Sequence, residues 1–214
     1  MNRFITISVL SLLAMGIQNT AFAATTYPYS PSEALVNFET TYKSQYDTIN
    51  ADLQMVSKKA AAWSSTAVLQ DFEIGWTDGT ENGYSFNFID VNNPFKALGF
   101  SPTLEGGFVQ SEVNRTPAMA FGIFRVPMRL RDLIPAMKND KKLMPFLDSL
   151  VTEGCNTSVR LTLQKTITDR LIWDIEFRSA NDTADKTVSC RSYLVSTSAE
   201  KTTDPVFIVR QLTK

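Results

Sequence analysis

Val159-Arg-Leu-Thr-Leu-Gln164, then the turn Thr168-Asp-Arg170, then Leu171-Ile-Trp-Asp-Ile-Glu-Phe-Arg178, is the stretch whose reading decides the fold. Val159, Leu161 and Leu163 alternate with Arg160, Thr162 and Gln164, and Leu171, Trp173, Ile175 and Phe177 alternate with Asp174, Glu176 and Arg178. A period of two with one apolar and one polar set is the pattern of antiparallel strands buried on one face only. Residues 187–196 and 205–212, beyond a polar loop, are read as two more strands, which completes a C-terminal four-stranded meander.

Cys155, just before the first of these strands, and Cys190, within the third, are the only cysteines. The expected pairing is one disulfide, which would pin the start of the meander to its later part. Cys-x-x-Cys redox spacing is absent.

Upstream of the meander, Pro127 is expected to begin a helix carrying Leu130, Leu133, Ile134 and Met137, bent or interrupted near Pro135. A second short helix is expected over Leu143–Thr152. Phe121 to Val126 reads as a short strand. The segment from Asn92 to Met119 reads as irregular, because Pro94, Gly99, Pro102, Gly106, Gly107 and Pro117 punctuate it. Its aromatic residues Phe95, Phe100 and Phe108 make it a candidate binding surface. Before it, Phe72, Ile74 and Trp76, then Tyr84, Phe86 and Phe88, alternate around the turn-rich Thr77–Gly83 and predict a hairpin.

Nearer the amino terminus, Ser30-Pro31-Ser32-Glu33 supplies a capping hydroxyl, a proline for the first turn and an early carboxylate. Leu35, Tyr42, Ile49, Val56 and Trp63 follow at intervals of seven, with Phe38, Tyr46, Leu53 and Ala60 beside them. Together they predict one long amphipathic helix over residues 32–63. The same recurrence suits a coiled-coil dimer, although Gln45, Asp52 and Lys59 occupy positions where a second apolar row belongs. The expectation is therefore an α+β fold in a single domain over residues 24–214: a long N-terminal helix packed on a mainly antiparallel sheet, the meander, and two short helices in the middle.

Residues 1–23 carry Arg3, an apolar run from Phe4 to Ile17, and Ala21-Phe-Ala23. This is the plan of a secretory signal peptide, too short in its apolar part to span a bilayer comfortably. A periplasmic or secreted location is expected, the plan being of bacterial type.

The chain has 214 residues, a net charge of −1, 43% hydrophobic residues and no histidine. Near-neutral charge argues against a nucleic-acid partner. The absence of histidine excludes Ser-His-Asp and Cys-His catalysis, a histidine general base and any histidine-containing zinc site. No phosphate-binding glycine loop is present, and no metal or cofactor is expected. Carboxylates remain: Asp174 and Glu176 project from one face of a strand and are weak catalytic candidates, as are Asp71 and Glu73. Ser198-Ala-Glu-Lys201 matches a serine–lysine pattern but lies in a polar loop, and Asp78–Asn82 offers oxygen ligands without calcium-loop spacing.

The segment 125–142 sets Arg125, Arg129, Arg131, Lys138, Lys141 and Lys142 against Asp132 and Asp140, with methionines interspersed. Contact with a lipid or membrane surface, or with a protein, is open to it. The functional expectation is a non-catalytic exported protein acting by contact with another protein, of inhibitor, immunity, chaperone or assembly type. A carrier of a small apolar ligand and a carboxylate hydrolase are the alternatives.

Overall fold

The computed structural model describes residues 29–77, 83–103, 105–114, 129–152, 154–166, 170–181, 189–200 and 203–212. The fold is α+β, with helices packed on one eight-stranded sheet whose paired strands all run antiparallel.

The capping signal at Ser30 performs as its chemistry requires. The Glu33 carboxylate accepts from the Ser30 backbone N–H at 2.8 Å, and the Ser30 hydroxyl accepts from the Glu33 N–H at 3.3 Å. Helix α1 (Pro31–Tyr42) and helix α2 (Tyr46–Trp63) are separated by a 3₁₀ turn over Lys43–Gln45, so the expected single helix is broken. Leu35, Phe38, Tyr42, Ile49, Val56 and Ala60 are nonetheless all buried in the chain's own core. Most of the apolar stripe is thus packed against this chain's own core.

Strands β1 (Ala67–Trp76), β2 (Gly83–Asp90), β3 (Asn93–Pro102) and β4 (Phe108–Asn114) form a meander that moves outward from the sheet centre. The chain then returns through helices α3 (Leu130–Asn139) and α4 (Leu143–Ser149) to β5 (Cys155–Lys165), which pairs with β1. Strands β6 (Leu171–Asn181), β7 (Ser192–Ser198) and β8 (Ile208–Leu212) continue outward in the other direction. The resulting order is β4-β3-β2-β1-β5-β6-β7-β8, two meanders fanning from a shared centre.

Several expectations are corrected. The stretch read as irregular from Asn92 contains the β3–β4 hairpin. It lacks clean alternation because Ala97 and Leu98, on opposite faces, are both fully buried. Helix α3 begins at Leu130 and runs through Pro135 without ending there, and α4 stops at Ser149. Gly154, with φ of +82°, makes the turn into β5. Cys155 is the first residue of β5, and Cys190 precedes β7. The two cysteines are bonded, with their Cα atoms 5.8 Å apart. The short strand expected over Phe121–Val126, Arg125 and residues 1–23 lie outside the described residues.

One continuous buried cluster joins the helices to both meanders, through Phe72, Ile74, Phe86, Phe88, Leu98, Phe100, Leu161, Trp173, Ile175 and Phe177 on the sheet side. The N-terminus of α1 is tied to α4, where the Asp148 carboxylate accepts from the Ser32 N–H at 2.9 Å and from its hydroxyl at 2.5 Å. Among the described residues no helix covers the opposite sheet face, and no helix is long and apolar enough to cross a membrane.

Candidate functional site

Around the sheet centre, in β1, β5 and β6, the face away from the helices takes the mainly polar half of the alternation. Strand register sets Gly83, Gly75, Arg160 and Glu176 in one row across β2, β1, β5 and β6. Glu73 stands one step along β1, opposite Thr162, and Arg178 one step along β6, opposite Ser158. Two adjacent glycines remove side chains from the middle of this face. The charged residues around them wall a cavity of about 220 Å³ lined by Glu73, Ser158, Arg160, Glu176 and Arg178. A Cβ added to Gly75 would find its nearest neighbour, the Val159 carbonyl oxygen, at 3.7 Å, so the floor is open space rather than a forced close approach.

The floor is held from below. Tyr42, at the end of α1, donates its hydroxyl to the Gly75 carbonyl at 2.6 Å and lies 3.4 Å from the Gly83 carbonyl. Burial pushes its phenol above the ordinary tyrosine value. Tyr84 on β2 donates to Asp52 of α2, and burial followed by that carboxylate likewise raises it. Tyr46 is pushed up to about 12, by burial and then by the charge of Glu39.

Two kinds of charge line the cavity. Glu176 is engaged by the Arg178 guanidinium, with Nε–Oε1 at 3.1 Å, Nη2–Oε1 at 2.9 Å and Nη2–Oε2 at 3.2 Å. Glu73 and Arg160 have no side-chain hydrogen bond or ion pair with any described residue.

Asp174 and Glu176 do share a face of β6, as their spacing requires. Asp174, however, lies outside the cavity, buried between the Gln164 amide at 2.6 Å and the Ser196 hydroxyl. A glycosidase pair needs one carboxyl in apolar surroundings and its partner free toward the same bond. Asp174 is fixed by neutral donors and Glu176 by a guanidinium, so these two do not make that arrangement. Asp71 accepts from the Asn87 amide at 2.6 Å.

The aromatic candidates separate. Phe100 is wholly buried, edge-on to Phe88 and Phe108, and presents nothing to a partner. Phe108 is half-buried with the Lys59 ammonium 6.0 Å from its ring centre. Phe95 is 60% exposed, and Val109 at 59% and Ile208 at 58% sit on strand positions that alternate onto the face away from the described helices.

In the basic segment, Arg131 pairs with Asp47 of α2, and Lys138 pairs with Glu39 of α1 at 2.6 Å. Arg129 is exposed, and its backbone N–H meets the Asp132 carboxylate at 3.3 Å. Asp140 accepts from the Lys142 and Leu143 N–H groups, which hold its carboxyl below the usual range. Two of the described basic residues, Arg131 and Lys138, therefore suture helix to helix.

The Ser198 hydroxyl accepts from the Glu200 N–H, while Lys201 and residues 78–82 lie outside the described residues. No cluster of three metal-ligating side chains occurs among the described residues. Comparison with protein-family models, with curated proteins and with solved structures finds no match.

The cavity was only partly legible beforehand. Gly75 inside the otherwise strong strand Phe72–Trp76 is the signal that could have located it, since a glycine within a strand marks a close approach or an unfilled position.

Proposed function

We propose that this is an exported, non-catalytic protein that acts by contact with another protein, using the sheet face that the described helices leave uncovered. The observation that carries the reading is the composition of that face. Its centre is polar and charged, and Phe95 and Val109 near one edge and Ile208 at the other are each more than half exposed. Apolar anchors set around or beside polar groups resemble the mixed character of non-obligate interfaces more than a bare hydrophobic patch.

Export is supported by the Cys155–Cys190 bond, which persists in oxidising compartments, and by the signal-like plan of residues 1–23. Periplasm or medium is the proposed destination. The carrier reading has less behind it, because Phe38, Tyr42, Phe86, Phe88, Phe100 and Phe177 fill the layer between helices and sheet. The hydrolase reading has less because Asp174 is held by Gln164 and Ser196.

Site-specific photo-crosslinking in the native host tests the proposal. A photoreactive residue at Phe95 or Ile208 is expected to trap one discrete protein partner, while one at Lys58 on the helical side traps none. Equal trapping from both sides, or none from Phe95 and Ile208, overturns it.

A further inference from the structure

The cavity on the sheet face away from the described helices carries an inference separate from the protein-contact reading. We propose that it binds a small zwitterion, a free amino acid or a short peptide, with Arg160 taking the carboxylate and Glu73 the ammonium.

Four observations converge. Glu73 and Arg160 carry opposite charge on adjacent strands and face the same side, yet neither bonds the other or any described side chain. They are diagonal neighbours, a relation that sets such residues roughly 7–8 Å apart. A small ligand carrying both charges bridges that gap, each end meeting its complement; the guanidinium fork matches a carboxylate in particular. The far wall is the Glu176–Arg178 pair, which is internally neutralised and repels neither end.

The wall as a whole holds two carboxylates and two guanidinium groups, so it complements a ligand of no net charge better than a plain anion or cation. The volume of about 220 Å³ lies below the roughly 300–1,000 Å³ of drug-sized sites, which restricts the occupant to a small molecule. Gly75 and Gly83 provide that space, and no backbone strain demands glycine at either position.

Calorimetric titration of the intact, oxidised protein tests the site, with alanine, lysine, glutamate and the dipeptide Ala-Ala as probes. N-acetylalanine and alaninamide serve as controls that each lack one charge. Saturable binding of at least one zwitterion is expected, with each blocked control weaker by about tenfold or more. Stronger binding of alanine or of Ala-Ala identifies the source as free amino acid or peptide.

Gly75→Val is expected to abolish binding by filling the cavity, while valine suits the strand and leaves the circular dichroism and melting temperature unchanged or raised. Glu73→Gln and Arg160→Gln are each expected to weaken binding by about tenfold. No saturable binding of any zwitterion up to about 10 mM, equal binding of the blocked controls, or undiminished binding by folded Gly75→Val overturns the proposal. None of these results bears on crosslinking from Phe95 or Ile208, so the two readings fail independently.

Discussion

The two meanders share a topology, four strands stepping outward from a central strand, and differ in what holds them. In β5–β8 the register follows strict alternation, and the Cys155–Cys190 bond ties the start of β5 to the approach of β7. In β1–β4 no disulfide serves. Aromatic contacts span the strands instead: Phe72 stacks on Phe86 at 5.2 Å, Phe88 meets Phe100 at 5.8 Å and Phe100 meets Phe108 at 6.4 Å, the last two edge-on. One half is secured covalently at one end, and the other by packing across its width. The lesson is that the same sheet geometry can be fixed at a point or distributed, and the two respond differently to damage.

The distributed half is expected to break hardest. Phe100→Ala removes a fully buried ring that touches both Phe88 and Phe108, and should cost about 3–5 kcal/mol. Urea unfolding measures the loss, and hydrogen exchange should show β3 and β4 losing protection before β6 and β7. Uniform loss across the sheet would mean that the halves are not separately held.

Converting Cys155 and Cys190 to serine should cost roughly 3–4 kcal/mol, since the bond closes a loop with a sequence separation of 35. Here exchange should rise first around β7 and the start of β5, with β1–β4 little changed. Earlier opening of β3–β4 would invert the comparison.

Tyr42→Phe sharpens it at the centre. Losing the donor to the part-buried Gly75 carbonyl should cost about 1–2 kcal/mol, read by thermal or urea unfolding. The tyrosines also predict a pH dependence. Tyr46 titrates near 10 when unfolded and near 12 when folded, so above pH 10 the unfolded chain releases its proton first. Its stabilisation is full below pH 10 and is lost as pH rises toward 12. Melting temperatures across that window should fall less steeply in Tyr46→Phe. The smallest effect belongs to Asp47→Asn, which removes an exposed pair with Arg131 and should change stability by less than about 0.5 kcal/mol.

Legibility divides along the same line. The β5–β8 meander could be read through β5, β6 and β7, because their buried apolar residues fall on one face and the period of two survives in the residues. Its partner hid the β3–β4 hairpin because Pro94 and Pro102 lie within β3 and Ala97 and Leu98 are buried on opposite faces. The helix break over Lys43–Gln45 carries no glycine or proline to announce it. At the site, Glu176 and Glu73 were each visible by their spacing, but their meeting with Arg160 around one cavity was not, because Glu73 and Arg160 come from strands almost ninety residues apart in the chain and only the β1–β5 pairing brings them together.

By itself the sequence determined the absence of histidine chemistry, the helix start at Ser30, the alternation of β5 and β6 and the one cysteine pair, because each is a property of composition or of near neighbours. Only the tertiary structure decided that β1 lies beside β5, that Phe100 is core rather than surface, and that Gly75 and Gly83 stand side by side beneath unpaired charges. Those outcomes depend on which strands meet and in what register, which is settled by the burial of the whole apolar face at once.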